Sequence, residues 1–132
     1  MPELPEVETT VKSLNILKSK KVINLNIHTK KLRYPIPLNK LKKIINSKII
    51  NLRRIAKYVI VDLNTSKSII IHLGMSGRLK IFEQNILKDK HDHLEFKFNN
   101  NHRLIFNDPR KFGFIDIIET DKINNIKYIK KL

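Results

Sequence analysis

The first residues with chemical potential stand at the start of the chain, Met1-Pro2-Glu3-Leu4-Pro5-Glu6. Once Met1 is removed, Pro2 presents a secondary amine whose pKa of about 8 leaves part of it unprotonated near neutrality. A neutral amine attacks electrophilic carbon. At a sugar C1′ the product is an iminium ion, an electron sink that acidifies the neighbouring C–H and leads to elimination of the flanking phosphates. Glu3 and Glu6 lie beside it and can move protons if held within about 3 Å of the leaving group or sugar oxygen. A retained Met1 turns the same nitrogen into an amide and abolishes the nucleophile. Proline in a first helical turn also needs no catalytic explanation, so these residues alone leave both readings open.

Lys57 follows Arg53 and Arg54 and opens an apolar run. It reads either as a solvated lysine at a strand start or as a cation whose neighbours lower its pKa or add phosphate affinity. His91 and His93 share one face of any strand, with Asp92 pointing the other way. Together with His72 they raise the question of a metal, but the absence of cysteine and of a helical His pair argues against zinc. Met75 lies among Gly74, Ser76 and Gly77, while Arg110 and Phe112 follow Asp108-Pro109. Such turn-like surroundings favour exposed tips over packed core side chains.

The 132 residues suit one domain, and a domain near this size removes roughly two-thirds of its unfolded surface from water. At 41% hydrophobic residues the chain is not compositionally disordered, and zero cysteine excludes disulfides and thiolate chemistry. Nothing approaches the roughly 18 apolar residues of a membrane helix, and the start is acidic, unlike a signal peptide. A soluble, cytoplasmic protein with no membrane role is expected. Lys and Arg total 27 against 12 acids, a formal charge of +15. That is the footprint of a polyanion binder, since cations on phosphates release condensed counterions. The bias toward Lys, Ile and Asn leaves compositional drift as the plainer source of the charge.

These residues need a frame. Leu4, Val7, Val11, Leu14 and Leu17 are spaced 3, 4, 3 and 3, which predicts an amphipathic helix over Pro2–Lys18 with acids at its positive end. Val22–His28 alternates as a half-buried strand. Lys30–Leu38, with Pro35 and Pro37, reads as loop or edge, and Leu38–Asn46 as a short helix turning Leu41, Ile44 and Ile45 inward. Seven further strands are predicted: Lys48–Arg54, Tyr58–Leu63, Ser68–Leu73, Gly77–Phe82, Leu94–Asn99, Arg103–Asn107 and Phe114–Glu119. Short strands at this spacing argue for an antiparallel sandwich or barrel with a helix packed on it. The fold expected is therefore mainly β with flanking helices (α+β), an antiparallel two-sheet β-sandwich with the N-terminal amphipathic helix on it. The lysine-rich tail, 121–132, is helical in propensity and reads as a linker.

Five stretches in order, Pro2-Glu3-Leu4-Pro5-Glu6-Val7-Glu8-Thr9, Arg53-Arg54-Ile55-Ala56-Lys57-Tyr58, His72-Leu73-Gly74-Met75-Ser76-Gly77, Lys90-His91-Asp92-His93 and Asp108-Pro109-Arg110-Lys111-Phe112-Gly113, make the sequence resemble the formamidopyrimidine-DNA glycosylase family. The resemblance implies that Pro2 is a Schiff-base nucleophile, Glu3 the general acid and Glu6 a supporting carboxylate at the sugar. It implies that Lys57 donates a proton in β-elimination and contacts phosphate. Met75, Arg110 and Phe112 match side chains that fill the hole left by an extruded base, and His91 and Arg110 match DNA-contacting positions. Lys111 stands where the family often has arginine, keeping the charge without the planar fork.

The resemblance further implies residues 1–119 as a catalytic domain and 120–132 as a helical linker toward a C-terminal DNA-binding half. The family's four-cysteine zinc finger belongs to that half, so no cofactor is expected in this chain. The partner implied is double-stranded DNA carrying oxidised purines or abasic sites, bound by a monomer. Two other readings are a catalytically inactive DNA-binding remnant and, more remotely, a protein-interaction sandwich whose charge reflects composition.

Overall fold

In the computed structural model, which describes residues 4–83 and 87–125, the opening apolar stripe forms α1 (Leu4–Ser13). Val7 and Val11 turn inward, and Leu14 and Leu17 follow in a 3-10 turn instead of a continuing α-helix. The final apolar spacings are both three, and only a helix of three residues per turn keeps such residues on one side. Leu4, at the other end, is 43% exposed and stands outside the buried face. Beyond Ser19, which has φ +73°, β1 (Val22–Ile27) begins. Its alternation changes phase: Val22 is buried and Ile23 exposed, whereas Leu25 and Ile27 are the next inward residues. A register shift between Val22 and Asn24 accounts for this, because one extra residue re-aims every later side chain.

The proline-bearing segment folds back on itself, Lys31 bridging Pro35, and Leu32 and Ile36 anchor it in the core. After α2 (Leu38–Lys42), which buries Leu41, come β2 (Ile49–Ile55), β3 (Tyr58–Leu63), β4 (Lys67–His72), β5 (Arg78–Phe82), β6 (Asp92–Phe98), β7 (Arg103–Asn107) and β8 (Phe114–Glu119). Among the described residues these strands form two four-stranded antiparallel sheets, ordered β1-β6-β7-β5 and β2-β3-β4-β8. The mainly β two-sheet sandwich predicted from the sequence is the fold found, with α1 packed against β2 and β3.

Phe96, Phe98 and Phe106 of the first sheet meet Val59, Val61, Ile69, Ile71, Ile115 and Ile117 of the second in one apolar cluster. The second sheet is apolar on its other face too, where Tyr58, Ile60, Ile70 and Phe114 are joined by Ile123 of a closing 3-10 turn, Thr120–Asn125. Two-sided burial explains why β3 reads as an unbroken apolar run. The exception, buried Asp62, accepts hydrogen bonds from Arg53 Nε (2.9 Å), Arg53 Nη2 (3.3 Å) and Ser68 Oγ (2.6 Å). Of the predicted C-terminal helix only Thr120–Asn125 is described, and it is 3-10; residues 126–132 lie outside the described residues.

The chain passes from the second sheet to the first between β4 and β5, through residues 73–77, and returns between β7 and β8, through residues 108–113. Register forces these two crossings side by side. His72 pairs with Phe114 at one end, and Arg78 pairs with Asn107 at the other.

Candidate active site

Met75 sits on the first crossing; Arg110 and Phe112 sit on the second. Met75 is 49% exposed and Phe112 44%, so neither belongs to the core. The Arg110 guanidinium lies over the Phe112 ring, with Cζ 5.0 Å from the centroid. That arrangement is a cation–π contact that presents a broad flat surface. The backbones of the crossings abut: a Cβ at Gly74 would meet Gly113 N at 2.5 Å and Phe112 C at 2.6 Å. Gly74 also has φ +62°, a conformation L side chains resist.

Lys57 occupies the tip of the β2–β3 hairpin. Ile55 pairs with Tyr58, leaving a two-residue turn in which Ala56 takes φ +49°. Arg54 secures that tip, its Nε donating to Glu8 Oε2 at 2.7 Å and its Nη1 to the Ala56 carbonyl at 2.9 Å. Both arginines near Lys57 make ion pairs within the protein, Arg53 with Asp62 and Arg54 with Glu8. Behind the tip lies His72, buried, stacked on Phe114 (5.3 Å, 5°) and edge-on to Tyr58 (4.9 Å). Its Nδ1 accepts the Gly74 N–H at 3.0 Å, so in the neutral ring the proton is on Nε2. Burial, then the charges of Arg33 and Lys57, hold the imidazole below its usual pKa, and burial raises that of Tyr58.

Beside Met75 opens a cleft of about 650 Å³, lined by Glu6 and Thr10 of α1, Arg78 and Lys80 of β5, and Pro109. The fold therefore brings Glu6 and Met75 to one cavity and sets Arg110 and Phe112 on the adjoining crossing. His91 joins them through its backbone: its carbonyl accepts the Asp108 N–H at 3.0 Å. Lys57, at the β2–β3 tip, does not line this cleft; its charge is felt at His72, whose Nδ1 holds the Gly74 N–H. Pro2 and Glu3 lie outside the described residues.

His93 is buried, and both ring nitrogens are occupied, Nδ1 with Thr29 Oγ1 (2.6 Å) and Nε2 with the Asp108 carbonyl (2.7 Å). Asp92 is buried as well, accepting from Asn107 Nδ2 at 2.8 Å and the Asp89 N–H at 2.9 Å. Among the described residues no three His, Cys, Asp or Glu side chains gather as a metal site. Sequence reasoning missed the role of His72 as the backbone acceptor behind Met75. It also missed Asp108, whose Oδ1 accepts from Ser76 Oγ at 2.7 Å and Oδ2 from the Gly113 N–H at 2.9 Å. The signal was there only as an Asp-Pro turn, because Ser76 is 32 residues away.

A family model described as the formamidopyrimidine-DNA glycosylase N-terminal domain matches residues 1–115. The curated formamidopyrimidine-DNA glycosylase of Rickettsia bellii is 44% identical over 136 residues, covering 96% of this chain and 48% of the relative. That of Zymomonas mobilis is 40% identical, covering 100% and 48%. The Lactococcus lactis enzyme, solved non-covalently bound to DNA containing an AP site, superposes with TM-score 0.87 at 31% identity, covering 98% of this chain and 49% of that one. Its complex with FAPY-dG-containing DNA gives 0.86 at 31% identity, covering 98% and 48%. The chain spans about half the length of the curated relatives it matches. In sequence over nearly its whole length, and in the fold that carries the crossings and the cleft, this chain belongs to the formamidopyrimidine-DNA glycosylase family, as its N-terminal domain.

Proposed function

We propose that this chain is the catalytic part of a DNA repair glycosylase that removes oxidised purines, formamidopyrimidine and 8-oxoguanine, and then nicks the strand at the abasic site. One observation carries the reading: exposed Met75 and the Arg110–Phe112 stack project from adjacent crossings beside the cleft that holds Glu6. A base inside a duplex is out of reach, so it must rotate out at a cost of a few kcal/mol. Apolar or flat side chains entering the stack recover part of that loss. Met suits an irregular void, while Phe and the Arg plane stack on bases.

Pro2, free of Met1, supplies the nucleophile. At most about 14 Å of chain separates it from Glu6, which keeps the amine within reach of the cleft. Its nitrogen bonds to C1′ as the glycosidic bond breaks and then gives up its N–H proton, while the electron pair of the broken bond leaves with the base, which takes up a proton. Opening of the sugar ring, with Glu3 protonating the ring oxygen and Glu6 supporting the charge, gives the iminium ion. Loss of the C2′ proton then expels the 3′ phosphate, and Lys57 serves as proton donor in this elimination and as a phosphate contact. Water finally releases Pro2. His91 and Arg110 contact DNA, drawn by a surface of net charge +15. Residues 1–119 form the catalytic domain and 120–132 lead toward a DNA-binding half. The protein works as a cytoplasmic monomer without a cofactor in this chain.

A second reading is a DNA-binding remnant that turns nothing over; the net charge of +15 supports DNA binding without calling for catalysis. Incubation with a duplex carrying one 8-oxoguanine separates the two. The proposal expects a nick at the lesion and none in undamaged DNA. Steeply salt-dependent binding with no nick selects the remnant. DNA affinity indifferent to Arg110→Ala and Lys57→Ala removes DNA as the partner.

A further inference from the structure

Asp108 has no exposed surface, yet its carboxylate touches both crossings. Oδ1 accepts the Ser76 hydroxyl at 2.7 Å, and Ser76 Oγ in turn accepts the Arg110 N–H at 3.0 Å. Oδ2 accepts the Gly113 N–H at 2.9 Å. The main chain of Asp108 is held as firmly: its carbonyl accepts His93 Nε2 at 2.7 Å and the Lys111 N–H at 3.3 Å, and its N–H donates to the His91 carbonyl. The partners are not scattered. Ser76 follows Met75, Gly113 follows Phe112, and Arg110 is bonded through its own N–H.

One buried carboxylate therefore holds the chain neighbours of Met75 and Phe112 directly and reaches the Arg110 N–H through Ser76 Oγ. A buried acid is weak evidence for stability, since apolar replacements of similar volume are often as stable. Its distinctive effect is on geometry: two short bonds from one rigid group set the gap between the crossings. The Gly74–Gly113 abutment stops them from closing further. Reactive constellations tolerate only about 0.5 Å of displacement.

We propose that Asp108, acting through Ser76, is a positioning residue that makes Met75 and the Arg110–Phe112 tip enter a duplex as one rigid unit. The inference rests on the extrusion reading above and deepens it. Asp108 touches no DNA. It acts through the backbone of the residues that do.

The experiment compares wild type with Ser76→Ala and Asp108→Asn, both milder than Asp108→Ala, which risks the fold. Amide hydrogen exchange in the free protein reads the brace. A 2-aminopurine beside the lesion in a duplex reads base unstacking, and borohydride trapping compares a paired 8-oxoguanine with a preformed abasic site, where no base must be displaced. Ser76→Ala should speed exchange at Arg110 about tenfold, equivalent to ~1.4 kcal/mol. It should also lower the 8-oxoguanine-to-abasic trapping ratio about tenfold and the 2-aminopurine signal with it. A purely structural role would slow trapping on both DNAs alike, leave the ratio unmoved and overturn the proposal. Unchanged exchange at Arg110 and Gly113 would overturn it as well. If wild type unstacks the probe but traps neither DNA, the catalytic reading fails and the brace is judged on the probe; if wild type never unstacks it, both fall.

Discussion

Gly74→Ala tests whether the two crossings stand in backbone contact. The new Cβ would lie 2.5 Å from Gly113 N, about 0.9 Å inside ordinary contact, and 2.6 Å from Phe112 C. Both obstacles are main chain and cannot swing aside as a side-chain tip would. Placing Ala at φ +62° adds about 1–2 kcal/mol of conformational strain. Forcing the crossings apart adds about 1–3 kcal/mol, the usual range for overpacking. The sum is a loss of about 2–5 kcal/mol, much of the stability of a domain this size. Urea unfolding followed by far-UV circular dichroism reads it as a lower midpoint with an unchanged slope. The same substitution pulls on the Gly113 N–H that Asp108 holds, so extrusion in any molecules still folded should fall too. A midpoint equal to wild type would refute the contact, and with it the claim that Met75 and Phe112 are set against each other through their backbones.

Met75→Ala should leave stability within about 0.5 kcal/mol, as for an exposed side chain, while cutting lesion-dependent unstacking in the 2-aminopurine assay. His72 gives a pH dependence of known sign. Burial, then Arg33 and Lys57, lower its pKa in the folded state below the unfolded value of about 6.5, so the unfolded chain binds the extra proton first. Its contribution is complete above that pH and is lost as pH falls toward the folded value; urea midpoints from pH 5 to 8 should show this, and His72→Gln should flatten the slope. Asp62→Ala removes three hydrogen bonds, two from Arg53 and one from the buried Ser68 hydroxyl, which keeps Thr120 Oγ1 as its partner; this should lower unfolding free energy by about 1–3 kcal/mol in the same titration.

Much of this was readable wherever signals are local. β3, β7 and β8 begin and end at the residues their apolar runs and turn neighbours indicate. The first helix gives way to a 3-10 turn before its apolar stripe ends, where the spacings are three, and β1 changes phase at a register shift that composition does not betray. Met75 and Phe112 were legible as exposed tips from the glycines and prolines around them. The brace behind them was not. Asp108 finds Ser76 across 32 residues and Arg54 finds Glu8 across 46, partners that only the two sheet crossings and the packing of α1 bring together.

The proposed chemistry requires a free Pro2 nitrogen that reaches the cleft beside Met75. Intact mass spectrometry of the borohydride-reduced adduct on an abasic-site duplex, for the Met1-processed chain and for one with a residue left ahead of Pro2, tests it most directly. The expected result is an adduct of the processed chain alone, with fragmentation locating the DNA on Pro2. Equal adducts from both forms, or a linkage on Lys57 or another lysine, would contradict it.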